Sequence, residues 1–218
     1  MKTATLFLHG LGQSPASWDK VLGHMKSPGP VSCPDLFSLA GSGPVTYEKL
    51  YQGFCAFCEK TEGPLALCGL SLGAVLALAF ALERPEKVSA LVLIGGQCAM
   101  PRALLRVQNG IFRLLPSKAF QSMGLAKKDV LSLTRSMLGL DYQGRLQEVA
   151  CPALVLCGEK DRANKKAART MGKGIPRARL AFIPGAGHEA NMDAPERLAE
   201  MLETFFAEKE YKNGILSK

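Results

Sequence analysis

The sequence predicts an α/β fold in which a mostly parallel sheet carries helices on both faces. Short apolar segments with the length of buried strands alternate with longer segments that have apolar residues at helical spacing. Strands that are separated by helices pair in parallel, because each helix carries the chain back to the start of the next strand. The length of 218 residues fits one domain. We therefore expect a single α/β domain over residues 1–218.

The predicted elements follow one another along most of the chain. The predicted strands cover residues 3–8, 31–33, 65–68, 88–94, 153–157 and 179–183. The predicted helices cover residues 15–25, 45–61, 72–82, 163–172 and 195–208. The expected sheet therefore has about six strands.

Residues 97–149 interrupt this alternation, because they contain no convincing strand. Their pattern indicates three or four short helices, which we place at 101–115, 117–123, 127–138 and 141–149. The segment follows the strand 88–94, at the strand end where open α/β sheets bind ligands. We therefore expect residues 97–149 to form a helical cap over the site.

A sharp turn joins the strand 65–68 to the helix 72–82. Its sequence is GLSLG at residues 69–73, a G-x-S-x-G pattern with a strand before it and a helix after it. Such a turn forces its middle residue into a sparsely allowed backbone region and brings its neighbours close together, so both flanking positions need glycine. The pattern predicts Ser71 as a nucleophile. The alternative is a tight turn in which glycine and serine have no chemical role.

A serine hydroxyl needs a general base, and the chain has three histidines. His24 lies on an amphipathic helix, so we expect it at the surface. His9 ends the first strand, where we expect its backbone to matter more than its ring. His188 follows the last strand in the glycine-rich loop PGAGH, from which it could reach the carboxyl edge of the sheet. His188 is therefore the predicted base.

The base in turn needs an acid that orients it, and this acid is expected after another strand. The segment GEKD at residues 158–161 offers two carboxylates. Asp161 lies further along the loop than Glu159 and has more reach towards His188, so Asp161 is the predicted acid. Asp193 is also near His188 in sequence, but we expect it to cap the last helix.

An acyl-transfer site also needs N–H groups that stabilise the developing oxyanion. One donor is expected to be the backbone N–H of Leu72, directly after the predicted nucleophile. The second is expected to be the N–H of Leu11, in the segment HGLG at residues 9–12. The alternative for that segment is a turn that only ends the strand.

Together, these motifs resemble those of the α/β-hydrolase fold superfamily. The matching segments are HGLGQSP at 9–15, PDL at 34–36, GLSLG at 69–73, LVLCGEKD at 154–161, and GAGH with DAPE at 185–196. The resemblance implies the same nucleophile, acid and base: Ser71, Asp161 and His188. Two departures are visible. The usual amino-terminal hairpin is missing, which again gives about six strands, and the segment FSLAGSG at 37–43 lacks the usual arginine, which leaves its path open.

The expected function is that of a serine hydrolase acting on an ester, thioester or lactone bond of a small molecule, without a metal or an organic cofactor. The resemblance leaves two alternatives. GLSLG is similar to the turns of enol-lactonases and of the lyase of menaquinone synthesis, so a carbon–carbon lyase or hydrolase could use the same three residues. A non-enzymatic ligand receptor on this fold is the other alternative.

The net charge of +8 is unevenly distributed. Residues 96–150 hold eight basic and three acidic side chains, and residues 151–180 hold eight and two. Positive potential beside the site would attract anionic substrates. The candidate substrate-binding residues are Gln97, Arg102, Arg106 and Arg162. A lipophilic acyl chain would equally suit Leu104, Leu105, Phe112 and Leu114, and a solvated basic surface is the remaining interpretation.

Other partners are not expected. No basic run is interleaved with aromatic residues, which argues against nucleic acid. The apolar run 72–82 is too short to cross a bilayer, so we expect no stable membrane insertion. The amino terminus lacks the features of a signal peptide, and the seven cysteines show no zinc-like spacing. These features favour a cytoplasmic protein, whereas the oligomeric state is not predicted.

Overall fold

A six-stranded sheet organises the residues that the computed structural model describes, which are 3–26, 29–118, 120 and 125–215. Numbered along the chain, its strands are β1 (Thr5–Leu8), β2 (Val31–Ser32), β3 (Leu65–Leu70), β4 (Val88–Ile94), β5 (Ala153–Gly158) and β6 (Ala178–Ile183). Their order across the sheet is β2-β1-β3-β4-β5-β6, and every neighbouring pair is parallel. The predicted parallel sheet of about six strands is confirmed.

Helices connect the strands on both faces of the sheet. They are α1 (Asp19–His24), α2 (Tyr47–Glu59), α3 (Leu72–Glu83), α4 (Arg102–Leu114), α5 (Lys127–Ser136), α6 (Lys165–Gly174), α7 (Ala190–Asp193) and α8 (Pro195–Ile215). Within the described part of the chain, no helix is both long enough and apolar enough to cross a membrane. The short helix α7 was not predicted, and α1 is preceded by a 3₁₀ turn at Pro15–Trp18.

Two apolar cores lie on opposite faces of the sheet, because successive strand residues point to opposite sides. Along β3, Leu67 belongs to the core beneath α2, α3 and α6, whereas Cys68 belongs to the core beneath α1 and α8. The ring of Trp18 packs edge-on against Phe7 in the second core, at 5.1 Å between centroids. Helix α3 is buried from Leu72 to Leu82, which explains why its sequence is apolar all round.

The chain between β4 and β5 is helical where the structure describes it, and we call residues 97–149 the helical segment. It contains α4, α5 and 3₁₀ helices at Met137–Gly139 and Gln143–Glu148, and its described residues form no strand beyond an isolated bridge. The helix expected at 117–123 lies partly outside the described residues. The Ser136 hydroxyl accepts a hydrogen bond from the Tyr47 N–H at 2.8 Å, which ties α5 to the start of α2.

The segment 37–43, whose path the sequence left open, begins with a 3₁₀ helix at Phe37–Ala40 and then turns at Gly41. Gly41 has a φ of 68°, a conformation that favours glycine. The N-cap of the following helix α2 is Thr46, whose hydroxyl accepts a hydrogen bond from the Lys49 N–H at 3.3 Å. This part of the chain therefore leads from the carboxyl end of β2 to α2 through the 3₁₀ helix and the turn at Gly41.

Candidate active site

The turn between β3 and α3 holds Ser71 in the strained backbone that its sequence predicts. Ser71 has a φ of 53° and a ψ of −110°, and it is the only described non-glycine residue with a positive φ. A Cβ atom at Gly69 would lie 2.3 Å from the carbonyl carbon of Gly73, and one at Gly73 would lie 2.2 Å from the Leu8 carbonyl oxygen. Glycine at 69 therefore lets the turn close on itself, and glycine at 73 lets it pack against β1.

A hydrogen-bonded relay connects the predicted nucleophile, base and acid. Nε2 of His188 lies 3.0 Å from Oγ of Ser71, and Nδ1 of His188 lies 2.8 Å from Oδ2 of Asp161. The three residues follow β3, β5 and β6, so the carboxyl ends of three parallel strands bring together side chains that are far apart in sequence. An ionised carboxylate only accepts hydrogen bonds, so Nδ1 carries the proton and Nε2 is free to accept the Ser71 hydroxyl proton.

The environments of the relay residues differ strongly. The Asp161 side chain is 4% exposed, whereas the His188 side chain is 43% exposed. Asp161 also accepts a hydrogen bond from the Asn164 N–H at 3.3 Å, at the positive end of the α6 dipole, which stabilises negative charge there. The carboxylate is thus fixed from within the protein, while the imidazole remains open to a substrate.

The other two carboxylates near His188 support its loop instead of its ring. Glu159 accepts a hydrogen bond from the Gly185 N–H at 3.1 Å, and Asp193 accepts one from the Gly187 N–H at 2.7 Å. The carboxylate of Asp193 therefore braces the loop in front of His188, a role that we had not predicted. Both bonds hold the backbone that carries His188.

Asn164 is a site residue that sequence reasoning missed. Its Nδ2 lies 2.9 Å from Oδ1 and 2.8 Å from Oδ2 of Asp161, and Nε2 of Gln97 donates to its Oδ1 at 2.6 Å. We predicted a helix from residue 163, which placed Asn164 inside it, whereas α6 begins at Lys165. One sequence feature could have indicated Asn164: it stands directly before a helix, three residues after the predicted acid.

The two predicted oxyanion donors border the same cavity as Ser71. Leu72 is the first residue of α3, so its N–H has no acceptor within the helix. Leu11 lies in the turn after β1, where Gly10 donates its N–H to Oε1 of Gln13 at 3.2 Å. Asn191 is fully buried, and its Oδ1 accepts from Nε2 of the same Gln13 at 3.1 Å. The turn that carries Leu11 is therefore tied to α7.

The ring of His9, to which we assigned little importance, has two hydrogen bonds. The ring is fully buried; its Nδ1–H donates to the Gly10 carbonyl at 2.9 Å, and its Nε2 accepts the Leu36 N–H at 3.1 Å. Burial lowers the pKa of His9, and the Gly10 bond and the Asp35 carboxylate offset this only in part. The expectation for His9 was therefore wrong, because its neutral ring joins the turn after β1 to the chain after β2.

A cavity of about 230 Å³ opens over Ser71. Its described lining residues are Leu11, Ser71, Leu72, Val75, Gly95, Gln97, Met100, Pro101, Leu105, Thr134, Met137, Ala163, Asn164 and His188. Gln97 is among these lining residues, which include no lysine or arginine. Arg102, Arg106 and Arg162 are exposed and lie outside the lining. On α4, Leu105 faces the cavity, whereas Arg102 and Arg106 face solvent.

The apolar residues proposed to hold an acyl chain are also separated. Leu105 lines the cavity, whereas Phe112 packs edge-on against Phe120 at 5.5 Å. Leu114 is 87% exposed. The side chain of Leu104 lies outside the described part of the structure. Of these four, the described structure places only Leu105 against the space next to Ser71.

The fold and the relay agree with a comparison of the sequence with known families. The model of the alpha/beta hydrolase family matches residues 5–201. The chain belongs to the alpha/beta hydrolase family. All six strands of the described sheet and all three relay residues lie within the matched range.

Relatives of this alpha/beta hydrolase are themselves named as hydrolases. The chain is 27% identical to the pimeloyl-[acyl-carrier protein] methyl ester esterase of Nitrosomonas europaea, over 88% of this chain and 91% of that protein. It is 29% identical to a 2-hydroxy-6-oxononadienedioate/2-hydroxy-6-oxononatrienedioate hydrolase of Paraburkholderia phymatum, over 65% of this chain and 62% of that protein. The chain thus spans less than two thirds of some of its curated relatives.

The solved structure of a thermophilic esterase from Thermogutta terrifontis has the same fold as this alpha/beta hydrolase. The two align with a TM-score of 0.78 at 21% identity, over 96% of this chain and 91% of the esterase. The fold, the family and the hydrolase class of its relatives therefore agree with one another.

Proposed function

We propose that this protein is a serine hydrolase that cleaves an ester, thioester or lactone bond of a small molecule through an acyl-enzyme on Ser71. The observation that carries the proposal is the relay from Ser71 through His188 to Asp161, with distances of 3.0 Å and 2.8 Å. Both distances are within hydrogen-bond reach, and the nucleophile stands at the floor of a cavity.

Acylation starts when Oγ of Ser71 attacks the carbonyl carbon of the substrate and His188 takes the hydroxyl proton on Nε2. The carbonyl oxygen becomes an oxyanion, which accepts hydrogen bonds from the N–H groups of Leu11 and Leu72. When the oxyanion collapses, the bond to the leaving group breaks, and His188 returns its proton to that group. Asp161 holds the imidazole in the required tautomer and stabilises its transient positive charge.

Deacylation repeats these steps with water as the nucleophile. His188 takes a proton from the water molecule while the oxygen of this water attacks the acyl carbon bound to Ser71. The second oxyanion uses the same two N–H groups. Its collapse breaks the bond to Oγ, the acid leaves, and Ser71 regains the proton that His188 held. Water is the co-reactant, and no further proton or electron is required; the released acid loses its proton to solvent when it ionises.

The cavity favours a small and mainly apolar acyl group. Its volume of about 230 Å³ is below the usual range for sites that bind drug-sized ligands, about 300–1,000 Å³. Apolar side chains from the helical segment, among them Met100, Leu105 and Met137, line it opposite Val75 of α3. We therefore propose that residues 97–149 act as a cap that selects the acyl group by its size.

An activity-based fluorophosphonate tests the nucleophile. Wild-type protein should gain one phosphonyl group by intact-mass spectrometry, whereas Ser71→Ala should gain none. Short-chain nitrophenyl esters then test turnover, with a burst of nitrophenol if deacylation is slow. An unlabelled wild type with a normal melting temperature would contradict the proposed nucleophile. Stoichiometric labelling without turnover would favour a ligand receptor.

A second candidate is a hydrolase or lyase that breaks a carbon–carbon bond with the same three residues. It is supported by the identity of 29% to the hydrolase of 2-hydroxy-6-oxononadienedioate. In that case the protein should consume this dienedioate, followed by its ultraviolet absorbance, faster than it consumes any nitrophenyl ester. A higher kcat/KM for the esters would favour the esterase assignment.

A further inference from the structure

We propose that Asn164 and Gln97 form a positioning pair that locks the Asp161 carboxylate in the orientation required by His188. This inference rests on the proposed serine hydrolase, because positioning matters only if the relay operates. It assigns Gln97 to the support of the relay, although the sequence suggested that it binds the substrate. Among the described residues, Ser71 has its side-chain hydrogen bond with His188 and not with Asn164 or Gln97, so both would act through Asp161.

The first observation is how Asn164 uses its side chain. It occupies the N-cap of α6, a position where asparagine usually accepts a hydrogen bond from an N–H in the first helical turn. Its side chain makes no such bond. Instead the amide is buried and directs Nδ2 at both oxygens of Asp161, at 2.9 Å and 2.8 Å. Asn164 thus gives up a local helix contact for a contact in the site.

The second observation is that the polarity of this network is fixed by the carboxylate. Asp161 only accepts hydrogen bonds, so Asn164 must present its Nδ2 donor to it and its Oδ1 acceptor away from it. Nε2 of Gln97 donates to that Oδ1 at 2.6 Å. A flip of the Asn164 amide would place its Oδ1 against the Asp161 carboxylate, acceptor against acceptor, and its Nδ2 against Nε2 of Gln97, donor against donor. Gln97 therefore stabilises the orientation that Asp161 needs.

The third observation explains why such a lock is needed. Nδ2 of Asn164 lies 3.1 Å from Nδ1 of His188, so the amide and the imidazole approach the same carboxylate from adjacent directions. The Nδ1–H donates to Asp161, so both nitrogens are donors. Their short N···N contact is therefore not a hydrogen bond. A rotated carboxylate would lose contact with one of them. The lock keeps Oδ2 in front of Nδ1 and thereby keeps Nε2 free for the Ser71 proton.

Variants of matched size test this role. Asn164→Leu keeps the branched shape of the side chain but removes its donor and acceptor, and Gln97→Met removes the amide from a side chain of similar length. We expect Asn164→Leu to lower kcat about tenfold to a hundredfold with KM changed less than about twofold, because misplaced groups cost rates of this order. Gln97→Met should lower kcat less. Asp161→Asn should lower it most, by about 10⁴-fold, since it imposes the wrong tautomer.

A double-mutant cycle separates positioning from substrate binding. If Gln97 acts only through Asn164, the double variant should have the kcat of Asn164→Leu alone. If Gln97 binds the substrate, the losses should multiply and KM should rise, which would overturn its assignment. Ser89→Ala is the control, because it removes a hydrogen bond to the Leu65 carbonyl at the opposite end of the sheet. Its kcat should equal that of the wild type.

A measurement without turnover keeps this inference separate from the proposed function. The Nδ1 proton of His188, held by Asp161, should give a strongly downfield proton NMR signal in wild type and in Ser71→Ala, and none in His188→Ala. In Asn164→Leu the signal should move upfield or disappear by exchange with water. An unchanged signal would overturn the inference even in an active enzyme. If the signal changes in Asn164→Leu but the wild-type protein never reacts at Ser71, the proposed serine hydrolase would be refuted and the positioning of Asp161 by Asn164 would be retained.

Discussion

Gly95 and His188 are packed so closely that a side chain at residue 95 would press against the imidazole. A Cβ atom at this position would lie 3.2 Å from Nδ1 of His188 and 3.4 Å from Oδ2 of Asp161. Gly95 also has a φ of 57°, in the left-handed region that side chains disfavour. The backbone after β4 therefore forms the wall against which the imidazole and the carboxylate rest.

Replacement of this glycine should impair the relay without removing any of its members. In Gly95→Ala the methyl group would displace the imidazole by a few tenths of an ångström, and we expect kcat to fall about tenfold to a hundredfold. The positive φ should also cost about 1 kcal/mol in the free energy of unfolding. Steady-state kinetics and denaturant unfolding measure the two effects.

Gly110→Ala is the matched control, because nothing lies within 4 Å of a Cβ atom at that position in α4. Its kcat should be unchanged, and its stability should be equal or higher, since alanine favours a helix over glycine. Equal kinetics of the two alanine variants would show that the contact between Gly95 and His188 does not constrain the relay.

The relay residues should behave as one unit. Ser71→Ala, Asp161→Asn and His188→Ala should each lower kcat by about 10⁴-fold or more, and combined variants should lose little further activity. Circular dichroism and thermal unfolding should remain close to the wild type. A single variant with near wild-type turnover would remove that residue from the proposed mechanism.

The position of the three relay residues could be predicted from the sequence because each follows a strand in a short loop. The turn at residues 69–73 has little conformational choice, since a Cβ atom at either glycine would lie only 2.2–2.3 Å from backbone atoms. Likewise, Asp161 and His188 lie in the loops that follow β5 and β6, so the parallel sheet brings them to one edge. Local turn chemistry and strand order were therefore sufficient here.

The supporting contacts could not be predicted, because they depend on which way side chains point in three dimensions. Nothing in the sequence distinguishes an asparagine that caps its own helix from Asn164, which turns towards Asp161. The same reason applies to the ring of His9, which bonds to Leu36, a residue far along the chain. It applies again to Arg102 and Arg106, which lie on the outer face of α4 while Leu105 between them lines the cavity.

The outward position of the arginines changes the expected substrate preference. The cavity lining includes no lysine or arginine among its described residues, so a carboxylate would enter it without either of these cations as a partner. We expect a neutral nitrophenyl ester to have a higher kcat/KM than an ester of matched size with a terminal carboxylate. Replacement of Arg102, Arg106 and Arg162 by alanine should change kcat/KM for the neutral ester less than about twofold.

Ionic strength provides the opposing test. If the basic excess of residues 96–180 steers anions, kcat/KM of the anionic ester should fall as salt shortens the Debye length to about 8 Å. It should fall much less in the variant without the three arginines. A preference for the anionic ester at low salt, lost in that variant, would restore the electrostatic interpretation.

The buried ring of His9 should make the stability of the protein depend on pH. Its Nε2 accepts the Leu36 N–H, so protonation would break this bond and place a charge in the core. Burial lowers the pKa of His9 in the folded state, whereas the unfolded chain retains a histidine pKa of about 6.5. Below that pH the unfolded state binds more protons than the folded state, so the free energy of unfolding decreases as the pH is lowered.

Urea unfolding at a series of pH values from 7 to 5 measures this loss. Each unit by which the pKa of His9 is lowered corresponds to about 1.4 kcal/mol of stability that is complete at neutral pH and lost on acidification. His9→Gln is the comparison, because its amide can donate and accept but does not titrate. His24, His188 and the carboxylates are common to both proteins, so their contributions cancel in the difference. The variant should therefore be less stable than the wild type at pH 7 but lose less stability on acidification. Parallel plots of the free energy of unfolding against pH for the two proteins would show that His9 is not held neutral by the fold.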